Sequence, residues 1–470
     1  MYTVLLIDRS NPFLLKLTRH LAGLIINPEI KILLLSDRHP SSVISSNFEI
    51  FNISDAPQSY SFIELQDKFD FSLHKLLVTE RAYFDYSSFR KNQCYSNLSL
   101  EQAYESSTQY LNALDFLIRE KVDLVIEGLA DNFVTTAAGL IAYNYNKKFF
   151  MVFLYYWWLD GVFFLDRLNQ TSSEIDSKYS NYMASNIDLD ISSLQAFYKR
   201  QLFRGFLEEK FRNMYNFKIR LLQILNKFKS YDKPSFGNFL SRKCSRFYSK
   251  IMISLFIKFE RSIYDEKYIL FPLHVTPEAS LLGNDPELAD QFSLIKNISM
   301  NLPAGVKLYV KDHPHQEVGL GLNYDFYRKL ATLPNVRLFG KRCPLNAKAI
   351  YMDPGCLAVS VISGTIGLEA ALELVPVFVF GHPIYGASEY FIKPNNFDEF
   401  YTVILSIYRG KYILKQRALY AMLQAQNDSV VKANVNFSKA KGWVETSYLV
   451  NVCIAEFINK QFSDEKLLRK

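Results

Sequence analysis

The stretch "LAVSVISGTIGLEAALELVPVFVFG", Leu357 to Gly381, decides the fold. Leu357–Ser363 is an apolar run of strand length. Thr365–Leu374 has helical spacing, and Pro376–Gly381 is a second apolar run. A strand, a helix and a strand in so short a span predict a βαβ unit with parallel strands. Outward from it the alternation continues. Residues 268–275, 306–312 and 335–340 read as strands, and 286–302 and 324–333 as helices. "NFDEFYTVILSIYRG" and "NVCIAEFINKQF" are later helices.

The first ~185 residues alternate in the same way. Strands are expected at 3–7, 31–37, 122–128 and 147–156, and helices at 13–25, 100–121 and 132–146. Pro57–Asn97 is less regular and reads as loops or an insertion. Between the two alternating parts the character changes. From Lys199 to Lys250 there are fourteen Lys and Arg against Glu208, Glu209 and Asp232, a net +11 in a chain of net +7. This is a basic, mostly helical segment with interleaved Phe and Tyr. It suits docking on an anionic membrane surface; a solvated connector is the plain alternative. The expected division is 1–185, 186–264 as the basic connector, 265–440, and a C-terminal helix over 441–470 that returns to the first domain.

Composition bounds the function. At 470 residues, 49% hydrophobic and 21% charged, the chain is globular and long enough for two or three domains. The charge is too mild to predict a nucleic-acid partner. Five scattered cysteines without a CxxC read as reduced thiols of a cytosolic protein. Phe149–Leu165 is apolar but only 17 residues long and carries Asp160 and Gly161, so it predicts a buried strand and an aromatic loop, not a membrane span. Neither GxGxxG nor GxxxxGK[ST] occurs, which weighs against NAD, FAD and P-loop chemistry. No cofactor is expected.

Three sets of residues are candidates for chemistry. Ser363, Gly364 and Thr365 join a strand to a helix, where amides and hydroxyls can gather on a phosphate. Glu369 lies one turn on, within reach of ribose hydroxyls. The alternative is an ordinary N-cap. "VKDHPHQE" ends another strand on the same predicted rim, which makes Lys311 and His313 candidate phosphate partners. His315 has less support. His274 and His382 end further strands, but the spacing matches no zinc pattern, so no metal is expected. In the first domain Glu127, Asp160 and Asp166 stand at strand ends, where carboxylates serve as base or nucleophile. Capping or ion pairing is the alternative for each.

"LFPLHVTPEAS", "LPAGVKLYVKDHPHQ", "NVRLFG" and "VISGTIGLEAALELVPVFVFGHPIY" follow one another in the order seen in the bacterial capsule polysaccharide synthesis proteins. The chain resembles that family over residues 265–400 and more weakly over 120–170. The family's members are Kdo (3-deoxy-octulosonic acid) glycosyltransferases. The resemblance implies a GT-B-like α/β fold, with two doubly wound Rossmann-like domains facing a cleft. It implies a CMP-activated sugar acid as donor and a lipid-linked glycan as acceptor at the inner face of the cytoplasmic membrane. His313 and the Ser363–Gly364–Thr365 turn would hold the CMP phosphate and ribose. Transfer would be retaining and metal-independent, with Glu127 and Asp160 assigned by position as the carboxylates. Polysialyltransferases and teichoic-acid CDP-glycerol transferases share the HP element and the Ser/Thr-rich turn. A CDP-alditol phosphotransferase, a non-catalytic glycan-binding assembly protein and a sugar-nucleotide epimerase are therefore the rival readings.

Overall fold

A computed structural model describes residues 1–8, 14–70, 72, 76, 100–128, 133–153, 161–169, 171–185, 189–199, 236–275, 281, 285–314, 322–431 and 443–468. These form two compact units. One holds the described residues up to 174 and those from 427 onward; the other holds those from 175 to 426.

The first unit opens with β1 (Tyr2–Ile7), α1 (Leu14–Leu24), β2 (Ile30–Ser36), β3 (Ser42–Ser45) and β4 (Phe48–Asn52). It continues with α2 (Phe62–Phe69), α3 (Leu100–Glu120), β5 (Leu124–Glu127), α4 (Phe133–Asn144), β6 (Lys148–Phe153) and β7 (Phe163–Leu165). The strand order is β3-β4-β2-β1-β5-β6-β7. The five inner strands are parallel, and β3 and β7 pair antiparallel at the edges. Parallel strands buried on both faces need apolar residues at every position, hence the unbroken runs in the sequence. Val4, Ile32, Leu34 and Ile126 form a core with α1, while the alternate residues Leu5, Leu33, Leu35 and Val125 are equally buried.

The second unit takes α5 (Ser173–Ala184) almost whole, then α6 (Phe236–Phe256), β8 (Lys267–Pro272), α7 (Gln291–Met300), β9 (Val306–Lys311), α8 (Tyr324–Ala331) and β10 (Val336–Phe339). After these come α9 (Ala347–Tyr351), β11 (Cys356–Val361), α10 (Ile366–Leu372), β12 (Val377–Val379), α11 (Phe397–Tyr408) and α12 (Gln416–Ser429). Its sheet is parallel throughout, in the order β10-β9-β8-β11-β12. Ile269, Phe271, Leu308, Val310 and Leu338 share one core, and Tyr268, Leu270, Tyr309 and Phe339 are buried alternately with them. Both units are thus doubly wound α/β sheets. The amino ends of the second sheet are closed by an Arg337–Glu266 ion pair that also takes a hydrogen bond from the Tyr309 hydroxyl, 2.8 Å.

The final helix, α13 (Trp443–Leu468), belongs to the first unit. Val450, Cys453, Ile454, Phe457 and Ile458 enter the same core as α1, β1 and β2. Phe457 stacks on Phe164 with ring centroids 3.7 Å apart.

Three boundaries differ from the sequence division. The segment 186–264 is no separate connector, because Ile253 of α6 and Ile257 just after it enter the core of the second unit. Most of the charge run, residues 200–235, lies outside the described residues. Residues 427–431 leave the second unit: Val431 bridges to Val162, with N–H···O distances of 2.9 and 3.2 Å. Pro57–Asn97 contains α2, started by a capping box of Ser61 and Glu64. Among the described residues no helix is long and apolar enough to cross a membrane.

Candidate functional site

In an open α/β sheet, ligands lie outside the carboxyl ends of the strands where the strand order reverses. The second sheet runs from β8 outward through β9 and β10, then returns to place β11 on the other side of β8. Its switch point is therefore the β8/β11 pair.

Four strand ends align there. Leu273 N–H bonds the Lys311 carbonyl at 2.9 Å, so β8 and β9 stay paired up to His274 and Asp312–His313. Phe380 and Gly381 N–H groups bond the Val361 and Ile362 carbonyls at 3.0 and 3.1 Å, so β11 and β12 stay paired up to Ser363 and His382. Neighbouring strands lie about 4.8 Å apart. His313, His274, the Ser363–Thr365 turn and His382 consequently form one row along the rim.

His274 is the centre of the row. It is buried, and Gln291 holds its backbone at both ends: His274 N–H donates to Oε1 at 2.8 Å, and Nε2–H donates to the His274 carbonyl at 3.2 Å. Its own Nε2 lies 3.4 Å from Ser363 N–H, as an acceptor. A neutral ring with the proton on Nδ1 fits that contact.

The turn is open to solvent on its far side. Tyr385 OH donates to the Gly364 carbonyl at 2.5 Å and pins the loop. No described group accepts from the Gly364 or Thr365 amides. Among the described residues a Cβ on Gly364 would meet only the His274 ring, at 3.5 Å. Thr365 caps α10 by position but makes no side-chain cap bond. Its hydroxyl instead lies 3.4 Å from Glu369 Oε1. Burial pushes the Glu369 carboxyl up from the ordinary range, and Thr365 partly offsets this. The helix has seven residues, too few for its dipole to carry anion binding.

The other expected residues are sorted by their partners. His313 is half-buried at the end of β9, on the rim as expected. Lys311 is not available there: it is buried, and its ammonium donates to the Gly340 carbonyl at 2.9 Å, tying the end of β9 to that of β10. Burial lowers its pKa. Strand alternation puts residues 311 and 313 on one side; the Gly340 carbonyl is what holds the Lys311 ammonium away. Asp312 is buried too, accepting from Tyr327 OH at 2.8 Å and Lys341 N–H at 3.1 Å. His315 and Asp160 lie outside the described residues.

Glu127 ends β5 at the switch point of the first sheet, beside β1. It is 6% exposed. Its Oε1 accepts the Ile7 amide at 2.6 Å, where β1 and β5 part, and Thr135 Oγ1 lies 3.5 Å from Oε2. Asp166 is a cap: its Oδ1 accepts the Ser173 amide at 2.7 Å as α5 begins.

Two acids escaped the sequence reading. Asp8 follows β1 directly, is 2% exposed, and accepts from Ser36 OH at 3.0 Å through Oδ2. Its buried Oδ1 has no partner among the described residues. Burial raises its pKa, with Ser36 opposing and Asp37 adding. The strand-end rule that marked Glu127 applies equally to "TVLLID" and would have found it. Asp285 is 1% exposed and holds the His382 ring at 2.6 Å. That pairing spans 97 residues and leaves no local signal. Among the described residues no group of three or more His, Cys, Asp or Glu is placed to hold a metal ion.

Residues 226–388 match the family model described as capsule polysaccharide biosynthesis protein. No curated protein matches the chain in sequence. Among solved structures it is similar to the Thermosulfurimonas dismutans KpsC beta Kdo 2,7 transferase, at 14% identity and TM-score 0.34, over 75% of this chain and 87% of that one. The beta Kdo 2,4 transferase of the same organism's KpsC gives 13% and 0.29, over 65% and 80%. Anabaena Alr3699/HepE in complex with UDP gives 12% and 0.31, over 99% and 100%. The match contains β8, β9, β11 and the whole rim from His274 to His382, and over that span the chain carries the sequence pattern of the capsule polysaccharide biosynthesis proteins.

Proposed function

We propose that the protein is a glycosyltransferase of bacterial surface-polysaccharide assembly, moving Kdo or a related sugar acid from a CMP-activated donor to a lipid-linked glycan. The observation that carries the reading is the Ser363–Thr365 turn at the β8/β11 switch point, with the Gly364 and Thr365 amides unengaged by any described group and His313 on the same rim. In this reading the turn amides and His313 hold the phosphate of the nucleotide, and Glu369 accepts from ribose hydroxyls. Hydrogen-bond donors fixed before the reaction stabilise the charge of the departing nucleoside monophosphate without having to reorganise.

The sugar chemistry falls to carboxyl groups of the first unit. Glu127 acts as nucleophile and Asp160 as acid/base partner in a retaining double displacement. A glycosyl–carboxylate bond forms as the bond to the phosphate breaks. The acceptor hydroxyl then displaces the carboxylate and gives up its proton to the second acid. Membrane docking is supported by α6. Phe247, Tyr248, Ile251, Leu255 and Phe256 are exposed there, alongside exposed Lys250. An apolar helical face with a basic border suits the interface plane of an anionic bilayer.

The test is a thermal-shift series with CMP, CDP and UDP, followed by transfer assays with activated donors. CMP at a hundred times its dissociation constant should stabilise by about 2.7 kcal/mol. CMP-Kdo should then be consumed only when a glycan acceptor is present. Stabilisation by UDP and not CMP would overturn the donor assignment, and turnover of a UDP-sugar without acceptor would make the protein an epimerase.

A further inference from the structure

His382 closes the row of strand ends, yet nothing above gives it a task. It follows β12 as Ser363 follows β11, with the Gly381–Ile362 hydrogen bond directly before both. Asp285 receives it twice: Oδ1 lies 2.6 Å from Nδ1, and Oδ2 accepts the His382 amide at 3.2 Å. The approach is possible because residue 381 is glycine. A Cβ there would stand 2.4 Å from Asp285 Oδ2 and 2.8 Å from Ile362 Cγ2. The carboxylate is 1% exposed and the imidazole side chain 49% exposed. A buried carboxylate accepting from Nδ1–H fixes the ring plane and leaves Nε2 to the solvent side, where the protonated ring presents an N–H donor.

The charged groups that act on the ring are Asp285, Glu287 and Lys393. The hydrogen bond that the ring donates to Asp285 holds the imidazole pKa above its ordinary value. Desolvation and Lys393 oppose this, and Glu287 adds to it. The sign follows directly: the ring carries its proton to higher pH than a free histidine, and loses it as pH rises through that raised pKa.

We propose that His382, oriented by Asp285, is a further residue of the nucleotide site, donating from Nε2 to a phosphate oxygen of the bound donor. This rests on the reading that the nucleotide seats at the Ser363–Thr365 turn. It divides the labour along the rim. Backbone amides fix the position of the phosphate, and His382 answers its charge.

The experiment is calorimetric titration of the full chain with CMP between pH 6 and 8.5, with cytidine as the probe that lacks phosphate. His382→Gln keeps a hydrogen-bonding side chain and removes the charge. It should weaken CMP binding about tenfold at the acid end, since hydrogen bonds to charged groups are the stronger class. The deficit should shrink as pH rises, because the wild-type ring then loses its proton as well. Cytidine affinity should be unchanged. Asp285→Asn should move the pH dependence of wild-type binding to lower pH. Equal CMP affinity for His382→Gln and wild type across the range overturns the proposal. So does an equal loss for CMP and cytidine, which would assign the pair to holding the loop. In both cases CMP binding by the wild type leaves the nucleotide reading standing. A wild-type chain that binds none of CMP, CDP and UDP overturns both.

Discussion

The two sheets reverse their strand order at equivalent places and end there in opposite chemistry. At β1/β5 the chain presents Asp8 and Glu127, both buried acids. At β8/β11 it presents His274, two hydroxyls, a glycine and, one strand on, His382. Topology fixes where a ligand can approach; the one or two residues after each strand fix what it meets. One switch point gathers buried carboxylates; the other gathers imidazoles, hydroxyls and backbone amides unengaged by any described group.

The sharpest break of that contrast would be at Glu127. Glu127→Gln retains an oxygen to accept the Ile7 amide, so folding should persist while sugar transfer falls by about 10⁴–10⁶-fold, the range for loss of a covalent nucleophile. Full activity with an intact melting transition would reduce Glu127 to a clamp on the ends of two parting strands. Next in size is Gly364→Ala. The protein leaves room for the methyl group, with its nearest contact at an ordinary 3.5 Å from His274. Stability should change by less than about 1 kcal/mol, while nucleotide affinity drops roughly ten- to hundredfold as the methyl keeps the ligand from the backbone. Unaltered affinity would move the nucleotide away from the turn.

The smallest effect is expected at Asp8. The folded protein holds this proton to higher pH than the unfolded chain does, because burial raises the pKa. Its charged form is therefore a cost, absent at low pH and growing as pH rises through the shifted value. Asp8→Asn should raise stability at pH 7 by about 1 kcal/mol, with the gain vanishing toward the ordinary carboxylate range near ~3.9. Denaturant melts at several pH values measure this directly. A loss of stability at neutral pH would mean that the carboxylate is satisfied in the folded protein. A simultaneous loss of transfer would mark Asp8 as a group kept for function against stability.

What the sequence disclosed follows from where the information lies. β1, β2, β5, β8, β9 and β11 were legible because strands covered on both faces are apolar at nearly every position. β3 and β4 were not, since "SVISSNFEI" mixes exposed and buried residues in an edge hairpin. The turn at Ser363 and His313 were found by their place after a strand. The tie of Lys311 to the Gly340 carbonyl joins residues 29 positions apart and leaves no local signal. The Asp285–His382 and Ile7–Glu127 contacts join residues 97 and 120 positions apart, and only the folded sheet brings them together.

One consequence of α13 concerns time. Six residues of the last helix are built into the core that α1, β1 and β2 begin. Translation delivers the whole of the second unit before it delivers that helix. The part of the protein synthesised first is therefore the part completed last. Until residue 458 emerges, the apolar face of β1 and β2 waits without its cover. The first unit and the end of the chain must therefore complete their folding as one event.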